Sequence, residues 1–223
     1  MKLAILPRYK DLKQEANDFS RLHYVVNNHD IMARENGVGL CAILSPFEFE
    51  DICQVCDGLI IPGSSNPVNP SYYGQDPIDI VYDEFALDVK VIDYFVKNNK
   101  PILGICAGIQ ALNIYFGGDI GRIPAEKNHV YRSNHSIIIE KDSFVYDAYK
   151  SETATVNSYH VMHLEKLGEG LRVVARSEEG IIEAVENKEK RIFGTQWHPE
   201  RSYHNDDPFG KVIFENFLKH CRN

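Results

Sequence analysis

No block of lysine and arginine occurs in the sequence, and its 24 basic residues are outnumbered by 32 acidic ones, giving a net charge of -8. That argues against a nucleic-acid partner, which needs clustered positive charge to meet phosphates. No run approaches the roughly 18 apolar residues of a membrane span, so no membrane contact is expected. The opening Met1–Pro7 run is too short for the apolar core of a signal peptide. Cysteines are few, odd in number at five, and without disulfide-like spacing. In a chain large enough to fold without staples this fits a reducing compartment, and the expected location is cytoplasmic. Repeats, low-complexity tracts and linkers are lacking too, so residues 1–223 are expected to form one domain. Gly117–Gly118 lacks the Gly-Lys-Ser/Thr of a phosphate loop and reads as a turn.

What is present is an apolar fraction of 43% with 11% aromatics, enough for a substantial core. Short strands are expected at Leu3–Leu6, Leu40–Leu44, Leu59–Ile61 and Pro101–Ile105. Between them, helices are expected at Leu22–Glu35 and Glu50–Val55, and a long one begins near Asp83. The inward face of that long helix is read as Phe85, Val89, Ile92 and Val96. Arg8–Ser20 reads as a polar loop. The proline- and glycine-rich stretch from Pro62 to Asp79 suits a pocket mouth after a buried strand. Strand and helix alternating in this way predict a parallel sheet covered on both faces. After Phe116 the pattern changes. Strands are expected at Ser136–Glu140, Thr153–Asn157, Leu171–Ser177 and Ile181–Glu186, as antiparallel or mixed additions at the sheet edge. Leu164–Gly170 reads as a short helix and a turn, Arg191–Gln196 as another buried strand, and Pro208 opens a final helix.

The chemistry centres on Cys106. Gly104 and Gly108 flank it at two residues on either side, where small residues permit a tight strand-to-helix turn. A cysteine at the start of the Ala107–Phe116 helix meets free N–H groups that stabilise a thiolate. Such a junction suits a nucleophile elbow, although a buried structural cysteine fits the same stretch. The partner is found at Gln196–Trp197–His198–Pro199–Glu200, where a carboxylate two residues after an imidazole can fix its tautomer and stabilise its cation. If Gln196 ends a strand beside the Cys106 strand, both groups lie at the carboxyl edge of the sheet, where open α/β folds place their sites.

Three stretches together resemble the class I glutamine amidotransferase family: Gly104–Gln110, Gly194–Glu200 and Asp57–Gly63. A weaker fourth includes Asn157–His160, Leu167–Val173 and Gly180–Glu186. Within that family the chain is nearest the peptidase C26 branch of gamma-glutamyl hydrolases, including gamma-glutamyl-gamma-aminobutyrate hydrolases. The resemblance implies a three-layer, flavodoxin-like open α/β sheet with small antiparallel additions. It also implies cysteine-dependent hydrolysis of a small molecule's gamma-glutamyl amide bond. Cys106 would be the nucleophile, His198 the base and then acid, and Glu200 the orienting carboxylate. The Gly63 and Ala107 amides would form the oxyanion hole. Asn66, Tyr73, Gln110, His160 and Arg201 are the candidate substrate contacts, with no metal or organic cofactor. Two alternatives stand beside this. One is a glutaminase subunit that passes ammonia to a separate synthetase. The other is a catalytically silent binding or regulatory domain of the same fold. A homodimer stays open.

The chain departs from the branch in two places. Pro62–Gly63–Ser64–Ser65–Asn66–Pro67 stands where a Pro-Gly-Gly or Pro-Gly-Ser run is followed by an aspartate or similar group. Val161 and Met162 stand where a second histidine and a glutamine often follow the His160 position. Both imply a different leaving-group pocket. The Tyr72–Tyr73 pair, Arg201 and His204 suit its rim, although Arg201 also reads as an ordinary surface residue. His129 and His135 receive no role. His23 and His29 read as packing or surface residues. Cys53 and Cys56 have metal or redox spacing without a second pair, Cys41 reads as strand core, and Cys221 as a free thiol.

Overall fold

The computed structural model describes residues 1–11, 21–47, 49–125, 133–202 and 208–222. The first half alternates β1 (Lys2–Ile5), a hairpin of β2 (Arg8–Asp11) and β3 (Arg21–Tyr24), α1 (Asn27–Glu35), β4 (Gly39–Ala42), α2 (Phe49–Val55), β5 (Gly58–Ile61), α3 (Glu84–Lys97), β6 (Ile102–Ile105) and α4 (Ala107–Tyr115). The second half holds β7 (Asp119–Arg122), β8 (Ser133–Ile139), α5 (Phe144–Tyr149), β9 (Thr153–Ser158), β10 (Met162–Lys166), β11 (Arg172–Ser177), β12 (Ile182–Asn187), β13 (Ile192–Thr195), the short α6 (Pro199–Ser202) and α7 (Pro208–Cys221).

One nine-stranded sheet runs β4-β1-β5-β6-β13-β12-β11-β8-β9. Its first five strands are parallel. From β13 onward each pairing is antiparallel. The parallel strands are buried on both faces, so they read as unbroken apolar runs, while alternate residues point to opposite layers. Leu3, Ile5, Ile60, Leu103 and Phe193 pack beneath α1, α5 and α7. Ala4, Leu59, Ile61, Ile102 and Ile192 pack beneath α2, α3 and α4. The expected three-layer α/β sheet is therefore present, and its antiparallel strands extend the main sheet.

Several boundaries differ from expectation. The helix read from Leu22 begins only at Asn27, because Arg21–Tyr24 pairs with Arg8–Asp11. His23 and Tyr9 are drawn together with Tyr82 in a ring cluster. The segment read as a helix from Leu164 opens instead with the last residues of strand β10, whose partner β7 follows the Gly117–Gly118 turn. In α3 the buried residues are Phe85, Asp88, Val91, Ile92 and Phe95, while Val89 and Val96 are only partly buried. The face is rotated because Asp88 points inward to meet Arg8. The six-residue α5 has no counterpart among the expected elements; Ser143 caps it by accepting from the Tyr146 amide. Among the described residues no helix is long and apolar enough to cross a membrane.

Candidate active site

Three neighbouring parallel strands, β5, β6 and β13, each hand one group to the same sheet edge. Gly63 follows β5, Cys106 follows β6 and His198 follows β13. The Cys106 turn is sharp. Its backbone lies at φ 53°, ψ -104°, a strained conformation for a residue with a side chain, and α4 begins at the next residue. The glycines on either side make room for it. A Cβ on Gly108 would stand 2.1 Å from the Ile61 carbonyl oxygen, and one on Gly104 would stand 2.7 Å from the Gly108 backbone. Close approach of α4 to β5 and β6 is what these glycines permit.

Gly63 closes the arrangement from the other side. A Cβ there would lie 2.7 Å from His198 Cε1 and 3.2 Å from Cys106 Cβ. Gly63 and Ala107 both line the cavity, and their amides are the two to account for. Neither donates to a protein acceptor among the described residues.

His198 is held at both ends. Its amide donates to Asn157 Oδ1 (3.0 Å), and Asn157 Nδ2 donates to the His198 carbonyl (2.8 Å). Its Nδ1 lies 2.5 Å from Glu200 Oε1. Burial opposes charge on the ring, but Glu200 and the hydrogen-bonded Cys106 sulfur outweigh it and raise the pKa to about 10. Glu200 is fully buried, which alone would raise it, yet the His198 cation beside it holds the carboxyl at about 2. At neutral pH the pair is therefore imidazolium and carboxylate. Tyr159 sets its ring edge-on to His198, with centroids 5.7 Å apart, and Arg201 stacks on Tyr159 at 4.0 Å.

The cavity in front of Cys106 measures about 620 Å³. Asn66, Tyr73, Gln110, His160 and Arg201 all line it. Their engagements differ. Asn66 Nδ2 is committed to the Tyr9 carbonyl (2.8 Å) and Glu84 Oε1 (2.9 Å). Gln110 Nε2 faces Gln196 Oε1 and the Met162 carbonyl at 3.3 and 3.4 Å. His160 Nδ1 lies 3.0 Å from the Met162 carbonyl, and its Nε2 is 3.6 Å from Glu183 Oε1. Tyr72 turns away and donates to Asp83 Oδ2. His129 and His204 lie outside the described residues.

Three residues given no part by sequence reasoning belong here. His135 reaches Glu183 at 3.2 Å. Burial opposes the Glu183 charge, but His135 and His160 pull its carboxyl below the usual range. His29, expected to be packing or surface, is 1% exposed and borders the cavity beside Glu200; burial lowers its pKa. Nothing in local spacing links these positions. Cys53, Cys56 and Cys221 stand apart, and burial pushes each thiol to about 12. No group of acidic, histidine or cysteine side chains suited to a metal ion occurs among the described residues.

This fold, with a cysteine elbow and a histidine at one sheet edge, defines a class I glutamine amidotransferase-like α/β protein. A glutamine amidotransferase of Thermotoga maritima superimposes with a TM-score of 0.69 at 13% identity, covering 100% of this chain and 99% of that one. The Peptidase C26 family model matches residues 5–200, and the chain belongs to that family. It is 35% identical over 177 residues to the glutamine amidotransferase-like protein YvdE of Lactococcus lactis, covering 72% of each chain. It is 28% identical over 203 residues to the gamma-glutamyl-gamma-aminobutyrate hydrolase PuuD of Escherichia coli, covering 82% of this chain and 78% of that one.

Proposed function

We propose that the protein hydrolyses the gamma-glutamyl amide bond of a substituted small-molecule amide. The observation that carries this is the strained Cys106 elbow set against the His198–Glu200 ion pair in one cavity. With its proton on His198, the Cys106 sulfur attacks the gamma-carbonyl carbon, and the carbonyl electron pair moves onto oxygen. The Gly63 and Ala107 amides receive that oxyanion without side-chain reorganisation. His198 then gives its proton to the amine nitrogen as the C–N bond breaks, leaving a glutamyl thioester. Water attacks the thioester with His198 as base, the C–S bond breaks, and glutamate leaves. Glu200 keeps the imidazole oriented and its cation stable throughout. The scheme calls for no metal or organic cofactor.

The cavity volume favours a substituted amide over glutamine. About 620 Å³ falls within the range of pockets that hold a drug-sized ligand, roughly 300–1,000 Å³, leaving room beyond the glutamyl group. The name of the PuuD relative supports the same substrate class.

A diazo-ketone glutamine analogue tests the proposal. One adduct per chain is expected, on Cys106, and none in Cys106→Ala. The Cys53, Cys56 and Cys221 thiols, pushed to about 12, should stay unlabelled. No adduct at Cys106 would overturn the proposal. An adduct without turnover of any amide would turn it towards a glutaminase subunit that a synthetase partner switches on.

A further inference from the structure

The peptide that joins Pro62 to Gly63 is gripped from behind. Arg8, at the start of β2 and 2% exposed, donates from Nε (3.0 Å) and Nη2 (2.8 Å) to the Pro62 carbonyl oxygen. Its Nη1 donates to both carboxylate oxygens of Asp88 at 2.9 Å, and Glu84 Oε2 is 3.8 Å away. Glu84 Oε1 in turn accepts from the Tyr9 amide and from Asn66 Nδ2. Both ends of the Pro62–Asn66 segment are thus tied to β2 and α3.

In a planar trans peptide the C=O and N–H point in opposite directions, and no cis bond occurs among the described residues. Two bonds on the Pro62 oxygen therefore fix the orientation of the Gly63 N–H, in a residue that lies against Cys106 and His198. A guanidinium on the carbonyl also polarises the peptide and strengthens its N–H as a donor. We infer that Arg8, anchored by Asp88, is a positioning residue that aims the Gly63 amide at the oxyanion. The inference rests on the Gly63 role proposed above. Arg8 touches neither nucleophile nor substrate and acts only through that peptide.

The test separates steps that form an oxyanion from steps that do not. Iodoacetamide alkylates Cys106 by displacement at carbon, with iodide leaving and no oxyanion. p-Nitrophenyl acetate acylates it through a tetrahedral oxyanion, with p-nitrophenolate leaving. Both rates are measured on the full chain, with Cys106→Ala as background. In Arg8→Lys, which keeps a charge for Asp88 but cannot make both bonds to Pro62, acylation should fall about 10- to 100-fold. Alkylation and its pH dependence should stay unchanged. Equal losses in the two rates, or no loss in acylation, overturn the inference.

If Arg8→Lys does not fold, Asp88→Asn serves instead, since its amide oxygen can still accept from Nη1. A smaller but selective fall in acylation supports the inference, and a parallel fall in both rates overturns it. The acetate probe carries no glutamyl group. Wild-type protein that is acylated yet cleaves no gamma-glutamyl amide would sink the substrate proposal and leave the Arg8 result standing. Wild-type protein that alkylates at Cys106 but is acylated no faster than Cys106→Ala would remove the oxyanion role and Arg8 with it.

Discussion

Glu200 is the first of the two groups that hold the charge on His198, the other being Cys106. With Glu200→Gln, the ring keeps a neighbour but loses the charge that opposes its desolvation. Turnover should fall about 10²- to 10⁴-fold, and the alkaline limb of the pH–rate profile should move down from near pH 10 towards neutrality. A rate profile that keeps its limb would show that Glu200 does not set the His198 charge. The same pair makes stability depend on pH with a fixed sign. His198 is raised, so its contribution is whole below about 6.5 and is lost as pH rises towards about 10. Glu200 is lowered, so its contribution is whole above about 4.5 and is lost as pH falls towards about 2. Urea midpoints of wild type and Glu200→Gln should differ most between those windows, and the gap should narrow at both extremes.

At the scale of elements, the elbow depends on how closely α4 lies on the sheet. Gly108→Ala should cost more than about 3 kcal/mol, because its Cβ meets backbone rather than a flexible side chain. A thermal midpoint unchanged from wild type would show that α4 can shift. Asp83→Ala should cost about 1 kcal/mol in urea unfolding, since Asp83 accepts from the Ala86 amide at the start of α3 and from Tyr72. The strands β1, β4, β5, β6 and β13 were legible because their signals are local, an apolar run bounded by glycine or proline. The hairpin β2–β3 and the β7–β10 pair were not, because polar residues become strand only when a distant partner is supplied. The α3 face was misjudged for a related reason. Asp88 is inward only because Arg8, 80 residues away, meets it. Cys106, His198 and Glu200 could be singled out from motifs that lie within a few residues. Arg8, Glu183 and His29 could not, since their importance comes entirely from what the fold brings beside them.

In the whole molecule, one sheet edge concentrates the chemistry, and the antiparallel strands beyond β13 complete its wall. Asn157 and His160 come from β9 and the turn that follows it, at the far edge of the sheet order, yet reach His198 and the cavity. The cavity they close is the basis for expecting a substituted amide to be preferred to glutamine. Glutamate release tests that claim most directly. The purified chain would be given glutamine, gamma-glutamyl-aminobutyrate, gamma-glutamyl peptides and gamma-glutamyl amides of larger amines, each beside Cys106→Ala. At least one substituted amide should turn over with a kcat/KM about tenfold or more above that of glutamine, a gain of about 1.4 kcal/mol from the leaving-group contacts, and Cys106→Ala should abolish it. Release that persists in Cys106→Ala, or glutamine outpacing every substituted amide, would contradict it.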